Sequence, residues 1–309
     1  MRAVVRTRSS LQVQDIETPV PGRHEVLIRV YSSTVTAGDL FMHRVPRLAF
    51  AVISLLGFKY KPTPGHEFAG IVEATGADVT RFKIGDEVFG TTTGLTAGSN
   101  AEYVTVPESW ESGLLAHKPT NLSFSEAAAL PVGAMTAMHF LRRADVKYGQ
   151  TVLIYGASGS VGSYAVQIAK HMGAHVTAVS STRNLALMRS LGANHVIDYK
   201  HRDFSEDGAI YDVIFDAVGK ISADQCKRAL KSNGRFVTVR SVASETAADF
   251  SRMIELATAG HITPIIDRTY RLEEIDDAYA YVGSGRKSGN VVIAVDSDSV
   301  RADGQLAWR

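Results

Sequence analysis

The sequence predicts a two-domain α/β protein, a doubly wound parallel sheet joined to a β-rich domain. Three observations carry that reading. Residues 1–117 form short strands punctuated by Gly and Pro. From residue 151 onward apolar strands alternate with helices. Between them TVLIYGASGSVG (151–162) runs a buried strand into a glycine-rich turn that opens a helix.

Composition sets the broad class. The chain has 309 residues, more than one small core needs, which suggests two domains. Hydrophobic residues make up 45% and charged residues 21%, ordinary for a soluble globular protein. A net charge of +1 gives no electrostatic footprint for nucleic acid or an anionic membrane. The lone cysteine, Cys226, excludes an intramolecular disulfide and a Cys-rich structural zinc site. MRAVVRTRSS at the start lacks the apolar region of a secretory signal. The longest apolar run, LAFAVISLLGF (48–58), has 11 residues, whereas about 20 span a bilayer. A cytoplasmic protein without stable membrane insertion is the expectation.

In chain order, the strands are RAVVRT, LQVQDI, EVLIRVYSSTV, FAGIVEAT, DEVFG and AEYVTVP, an all-β barrel or sandwich. Ser123 and Glu126 then form a capping box ahead of an alanine-rich helix, SFSEAAAL. TVLIYG leads to the helix SVGSYAVQIAKHMG, HVTAVS to RNLALMRSLG, and HVIDY to a polar loop. DVIFDAV, a helix ending near Leu230 and RFVTVR complete the alternation, which predicts a right-handed parallel arrangement. Gly173 and Gly192 stand where helices stop. Strands return after residue 262 (ITPIIDRTY, NVVIAV) around the helix LEEIDDAYAYV, so the C-terminal segment is expected to complete the first domain. The predicted domains are 1–120 with 264–309, and 121–263.

Within the glycine loop, Gly159 and Gly162 take the second and third positions of G-x-G-x-x-G. Ala157 holds the first, preceded by Gly156. The second glycine lets backbone approach a pyrophosphate, the third lets helix and strand pack closely, and the helix N-terminus offers N–H groups to phosphate. A structural turn is the plain alternative, but a strand before, a helix after and a further strand beyond favour dinucleotide binding. The end of the next strand chooses the cofactor. HVTAVSSTRN (175–184) has no acid for a ribose hydroxyl; it has Ser180, Ser181, Thr182 and Arg183, which suit a 2′-phosphate. NADPH is therefore the expected cofactor.

GHEFAGIVEATGADVTRFKIGDEVFG (65–90), AEYVTVP (101–107), the TAM segment and GASGSVGSYAVQIAK (156–170) resemble the medium-chain dehydrogenase/reductase superfamily. The likeness is closest to its zinc-free NADPH:quinone oxidoreductase branch and covers nearly the whole chain. It implies a GroES-like catalytic domain split around a Rossmann domain, with a cleft between them. It further implies that Thr136 approaches the nicotinamide end and that backbone from Gly156 through Ala157, Ser158, Gly159, Ser160 and Val161 to Gly162 surrounds the pyrophosphate. On the same grounds Tyr199 lies near the 2′-phosphate, Val218, Gly219 and Val239 line the cofactor groove, and Asn290 closes over the cofactor. The family's habit of pairing through its Rossmann sheet edge implies a homodimer, with ITPIIDRTY near that edge.

Catalytic zinc needs about three protein ligands and an open position. Of the positions matching the family's zinc ligands, Thr36 and the region of Val132 carry none, and only His66 remains, beside Glu67. His171 and His175 are separated by the helix-ending Gly173. No metal is expected. His66 is then either a hydrogen-bonded structural residue or a substrate-orienting, proton-relaying one. Without a Lewis acid, a quinone or conjugated enone is the easier hydride acceptor, because it delocalises the arriving charge itself. The expected partner is thus a small apolar electrophile. The family's tyrosine two residues past Asp39 is Phe41 here, which supplies stacking alone. Thr36, Tyr60, His66 or water is left as hydrogen-bond donor, with Asp39 a structural acceptor rather than a base. The run 48–58 reads as a core helix, a flap or a membrane contact. The leading function is an NADPH-dependent quinone or enone reductase. A non-catalytic NADPH-binding protein is the alternative, and a zinc-type alcohol dehydrogenase stands behind both.

Overall fold

The structure is a computed structural model and describes residues 1–7, 10–45, 63–92, 97–109, 113–244 and 246–296. Tyr60 and the run 48–58 lie outside the described residues. The chain divides into two compact units, Met1–Pro131 with Ile266–Arg309, and Val132–Ile265.

The first unit is β-rich. β1 (Arg2–Arg6) and β2 (Leu11–Asp15) form an antiparallel pair. The larger sheet is centred on β3 (Glu25–Val35), which pairs with β4 (Glu67–Thr75) and β6 (Tyr103–Pro107). β5 (Glu87–Thr92) and β7 (Gly113–His117) extend it on one side. On the other side stand β14 (Asn290–Ala294) and, parallel to it, β13 (Ile266–Arg271). The predicted strands are all present, and the C-terminal return contributes to this core: Val26, Ile28, Val30, Phe68 and Val88 pack with Ile275, Ala278, Tyr279 and Val282. Alternation along the strands puts one set of side chains on that buried face.

Two elements of this unit were not predicted, β7 and the helix α1 (Ala37–Arg44). α1 starts in a capping box, with Thr36 accepting from the Asp39 N–H and Asp39 accepting from the Thr36 N–H. Arg6 of β1 donates to the Met42, His43 and Val45 carbonyls at its other end. α2 (Phe124–Ala129) has the expected Ser123–Glu126 box. It packs on β3 and β4, Tyr31 stacking on Phe124 at 4.7 Å, so this unit continues to Pro131 instead of ending at residue 120. Residues 266–270 of ITPIIDRTY lie in β13, at one end of this sheet. α8 (Ile275–Gly283) lies between β13 and β14 in sequence.

The second unit holds β8 (Thr151–Tyr155), β9 (His175–Ser180), β10 (His195–Asp198), β11 (Tyr211–Asp216) and β12 (Leu230–Thr238), all parallel, in the order β10-β9-β8-β11-β12. The chain runs outward from β8 to β10, then returns to β11 beside β8. Ligands in such sheets bind beyond the carboxyl ends of the strands flanking that switch. The connecting helices are α3 (Pro131–Arg143), α4 (Ser160–His171), α5 (Leu185–Ser190) and α6 (Ala223–Ala229). Gly173 and Gly192, both at positive φ, follow α4 and α5 as expected. After β12 comes α7 (Ala247–Thr258), also not predicted, capped by Thr246 and Asp249.

Candidate functional site

The carboxyl ends of β8 and β11 meet at Tyr155 and Asp216, and Ala217 N–H donates to the Tyr155 carbonyl at 3.0 Å. Beyond them the glycine loop turns sharply. Gly156 has φ +73°, and a Cβ there would stand 2.5 Å from Val218 Cγ1, so the loop and Val218 touch. Gly156 and Ala157 N–H both donate to the Val179 carbonyl. Gly162 packs against the turn itself: a Cβ would lie 2.3 Å from the Gly156 oxygen. Gly159 differs. It is the N-cap of α4 at φ −75°, and a Cβ would meet the Gly156 oxygen only at 3.5 Å. Neither strain nor crowding by the protein requires glycine there, as expected where a ligand needs the space.

Ser160, Val161 and Gly162 form the first turn of α4, whose N–H groups are those a phosphate uses. α3 lies against that turn, since a Cβ on Gly133 would fall 2.4 Å from Ser160 Oγ; Thr136 is one turn further along α3. Asp216 organises the opposite loop, accepting from the Val218, Gly219 and Ile221 N–H groups at 3.2, 2.8 and 2.8 Å. Val239 N–H donates to the Asp216 carbonyl, and Arg240 Nε donates to the Gly219 carbonyl. The sequence reading missed Asp216; the signal was a carboxylate directly before a turn whose N–H groups need an acceptor.

At the ends of β9 and β10 the expected cofactor-selecting residues come together. Ser180 Oγ is buried with no hydrogen-bond partner among the described residues. Tyr199 N–H donates to the Ser180 carbonyl at 3.2 Å, and the Tyr199 ring is exposed. Ser181 precedes the turn that carries Thr182 and the exposed Arg183. Thr182 Oγ1 donates to Asp198 Oδ2 at 2.5 Å. That hydrogen bond leads the causes holding the Asp198 carboxyl below its usual range. The cradle with space at Gly159 and the orphaned Ser180 hydroxyl fit a dinucleotide.

The other ionisable cluster belongs to the first unit. His66 Nδ1 is 2.6 Å from Asp39 Oδ1, while Asp39 Oδ2 accepts from Thr36 N at 2.7 Å and from Thr36 Oγ1 at 2.6 Å. Burial pushes the Asp39 carboxyl up, but the charge and hydrogen bond of His66 and those of Thr36 outweigh it and leave the carboxyl below its ordinary value. The Asp39 side chain is fully buried and that of His66 is 16% exposed, so the imidazole edge is the part that meets solvent. Thr36 spends its hydroxyl proton on Asp39, which removes it as a substrate donor in this geometry. Phe41, on α1, is 69% exposed. Asn290, at the start of β14, is buried.

Behind the dyad Glu67 Oε2 accepts from Thr34 Oγ1 at 2.5 Å. Ser99 Oγ and Asn100 Nδ2 are buried and unpartnered among the described residues, as is Tyr279 Oη. Among the described residues no group of three His, Cys, Asp or Glu side chains is placed to hold a metal. At positions where the resemblance places zinc ligands, Thr36 is committed to the cap and Val132 is apolar. His171 pairs with His261, ring centroids 4.2 Å apart, and His175 begins β9.

Lys287 was also missed. Burial brings its ammonium down to about 8, against the attraction of Glu67 and Asp267, and Nζ donates to the Gly289 carbonyl at 2.6 Å. A base whose folded pKa lies below its unfolded value costs stability while it is charged. The native state releases that proton first, so stability rises with pH between about 8 and the ordinary 10.5. Lys287→Met is expected to stabilise the protein by about 2 kcal/mol at neutral pH, allowing for partial solvent screening. Urea unfolding should show that gain vanish above the ordinary lysine pKa; a gain independent of pH would contradict the burial account.

The comparisons agree with this geometry. The family described as alcohol dehydrogenase GroES-like domain matches residues 22–118, and two families described as zinc-binding dehydrogenase match 160–265 and 240–293. The chain is 33% identical to the 2-methylene-furan-3-one reductase of Solanum lycopersicum over 310 positions, covering 94% of this chain and 75% of that protein. It is 32% identical to the chloroplastic NADPH-dependent alkenal/one oxidoreductase of Arabidopsis thaliana, covering 74% of this chain and 63% of the other. Among solved structures, the quinone oxidoreductase of Coxiella burnetii superposes with a TM-score of 0.81 at 26% identity, over 96% of this chain and 99% of that one.

Proposed function

The chain belongs to the medium-chain dehydrogenase/reductase superfamily, in its quinone oxidoreductase-like branch, and on that premise we propose that it transfers hydride from NADPH to a quinone or an α,β-unsaturated carbonyl without zinc. The observation that carries the proposal is a glycine turn open at Gly159 at the start of α4, in a chain that has Thr36, and no ligand in the region of Val132, where the resemblance places zinc ligands. The relatives' names support the substrate class: a 2-methylene-furan-3-one reductase, an alkenal/one oxidoreductase and a quinone oxidoreductase.

When bound, the nicotinamide supplies the hydride. Gly156 to Gly162 would hold the pyrophosphate, Ser180 to Arg183 with Tyr199 the adenosine end, and Thr136, Val218, Gly219, Val239 and Asn290 the remainder. A conjugated acceptor spreads the arriving charge onto its oxygen, where a single donor suffices. His66 is that donor in this proposal. Asp39 fixes Nδ1 and hence the ring's orientation. Phe41 offers an apolar face to a flat electrophile. No helix among the described residues is long and apolar enough to cross a membrane. A cytoplasmic homodimer completes the proposal, and its mass in solution tests the second part.

NADPH consumption with a panel of small quinones, enones and alkenals tests the function. Oxidation with at least one class supports it, and tight NADPH binding without turnover would favour a regulatory protein. Cofactor choice is tested separately. Arg183→Ala should weaken NADPH by about tenfold or more while leaving NADH nearly unchanged. Equal loss for both would remove the basis for the NADPH assignment.

A further inference from the structure

We propose that His171 and His261 form a two-imidazole site for a divalent transition ion of the zinc class, at the end of the second unit remote from the glycine turn. The site is independent of the hydride chemistry above. α4 follows the glycine turn at its start and has His171 as its last residue, about 18 Å along its axis. Gly173 ends the helix before His175, and the partner the fold supplies to His171 is His261. Two matching helix stops set the pair. At the end of α4, Gly173 N–H donates to the Lys170 carbonyl and Ala174 N–H to that of Ala169. At the end of α7, Gly260 N–H donates to the Ala257 carbonyl and His261 N–H to that of Leu256. Gly173 and Gly260 have φ +79° and +71°, as this kind of stop requires. Gln167 then clamps the two ends together. Its Nε2 donates to the Thr263 carbonyl at 3.1 Å, and its Oε1 accepts from the Thr263 N–H at 2.8 Å. Gln167 stands one turn before His171 on α4, and Thr263 follows closely after His261, so the clamp fixes where both rings begin.

The two ring centroids are 4.2 Å apart, with the planes inclined at 43°. Two imidazoles bound side by side to one ion, each nitrogen about 2.0–2.1 Å from it, have centroids roughly 4.5–5 Å apart. A small rotation of two exposed rings covers the difference. Neither imidazole makes a hydrogen bond among the described residues, so their nitrogens are open to a ligand. Partial burial, then His261 and Arg252, hold the His171 imidazole below its ordinary value, which favours the neutral form that a metal takes. The pair opens on a hollow of about 410 Å³, lined also by Gln167, Lys170, Ser190 and Thr263 and by no carboxylate. Nitrogen donors without carboxylate select zinc, nickel or copper over magnesium or calcium. The neighbouring cations are engaged elsewhere. Arg252 pairs with Glu255, and the Lys170 stem lies over Gly192, where a Cβ would meet Lys170 Cγ at 3.0 Å. α4 and α7 both end here, and the negative ends of their dipoles favour a cation over an anion. A bound ion, its shell completed by water, would tie α4 to the last segment of this unit, which closes at Ile265.

Calorimetric titration of the chelator-stripped protein with Zn²⁺, with thermal unfolding in parallel, tests this. Wild type should bind zinc through this pair and melt at a higher temperature as zinc is added. His171→Ala and His261→Ala should each lower zinc affinity about a hundredfold, because a single imidazole forfeits the chelate. The double variant should lose little more than either single one, since the two side chains act as one site. Both residues are exposed, so circular dichroism without zinc should show an unchanged fold. His66→Ala supplies the contrast and should keep wild-type zinc affinity. Zinc binding that survives in His171→Ala or His261→Ala, or no binding by wild type, would overturn the proposal. So would zinc binding lost in His66→Ala alone, which would move the ion to the first unit.

Discussion

Gly159→Ala should leave the protein folded and abolish dinucleotide binding, whereas Gly162→Ala should damage both. The contrast follows from the space each Cβ would meet. At Gly159 the backbone is already in a conformation open to any residue, and the added carbon touches one oxygen at 3.5 Å. The methyl would instead occupy the open space that the proposal above gives to the pyrophosphate. NADPH affinity should fall at least about thirtyfold, roughly 2 kcal/mol, with little change in melting temperature. At Gly162 the carbon would stand 2.3 Å from the Gly156 oxygen and 2.7 Å from Ala157 Cα, both backbone atoms that cannot swing away. Overpacking of this kind costs about 1–3 kcal/mol and separates α4 from β8. Calorimetry and thermal unfolding of the two variants check the pair. Normal binding by Gly159→Ala would contradict the cradle.

Asp39→Ala should be the most damaging substitution in the first unit. It strips the partner from the His66 ring and from the Thr36 N–H at once, in a place where the carboxylate is fully buried. Breaking one side of a buried, hydrogen-bonded charge pair costs about 3–5 kcal/mol. Asp39→Asn preserves the shape but removes the charge, and it separates stability from pH dependence. A carboxyl held below its ordinary value contributes stability that is present above its unfolded pKa, 3.8, and is lost as pH falls through the depressed folded value. The carboxyl's own share of the gap between wild type and Asp39→Asn should therefore be fully present above the ordinary value and be lost only below it. Denaturant titrations across acid pH measure it. A gap that instead closed between neutral pH and that value would place the charge on another group.

Much of the fold was legible because its signals are local. Strands such as EVLIRVYSSTV show period two, and TVLIYG followed by ASGSVG reads as a strand, a glycine turn and a helix start, which is what the structure has. α7 carried a readable signal too, a Thr246–Asp249 box before Phe250, Met253 and Leu256 at helical spacing, and should have been predicted. α1 was overlooked because Thr36 and Asp39 were weighed for metal and proton chemistry, when their spacing of three also makes a capping box. β13 and β14 were legible as a return of strand character after residue 262, but their parallel pairing was not, because β14 follows a helix and the register is set by contacts distant in the chain.

The site was legible in the same uneven way. His66 and Asp39 are 27 residues apart and meet through the pairing of β3 with β4 and the start of α1, which no spacing rule encodes. Asp198 lies at the end of a strand that looked unremarkable, and only pairing with β9 brings it to Thr182. Lys287 reads in sequence as an ordinary surface cation; its environment is made by Glu67 and Asp267, distant in the chain.

The central claim is hydride transfer to a conjugated acceptor without a metal. The direct measurement follows deuterium from C4 of labelled NADPH into an enone, using protein stripped of metal by chelator. Mass and NMR analysis should find one deuterium on the β-carbon of the saturated product, at an unchanged rate. NADPH that binds but is consumed by no quinone or enone, or label that transfers only after zinc is added, would contradict the account.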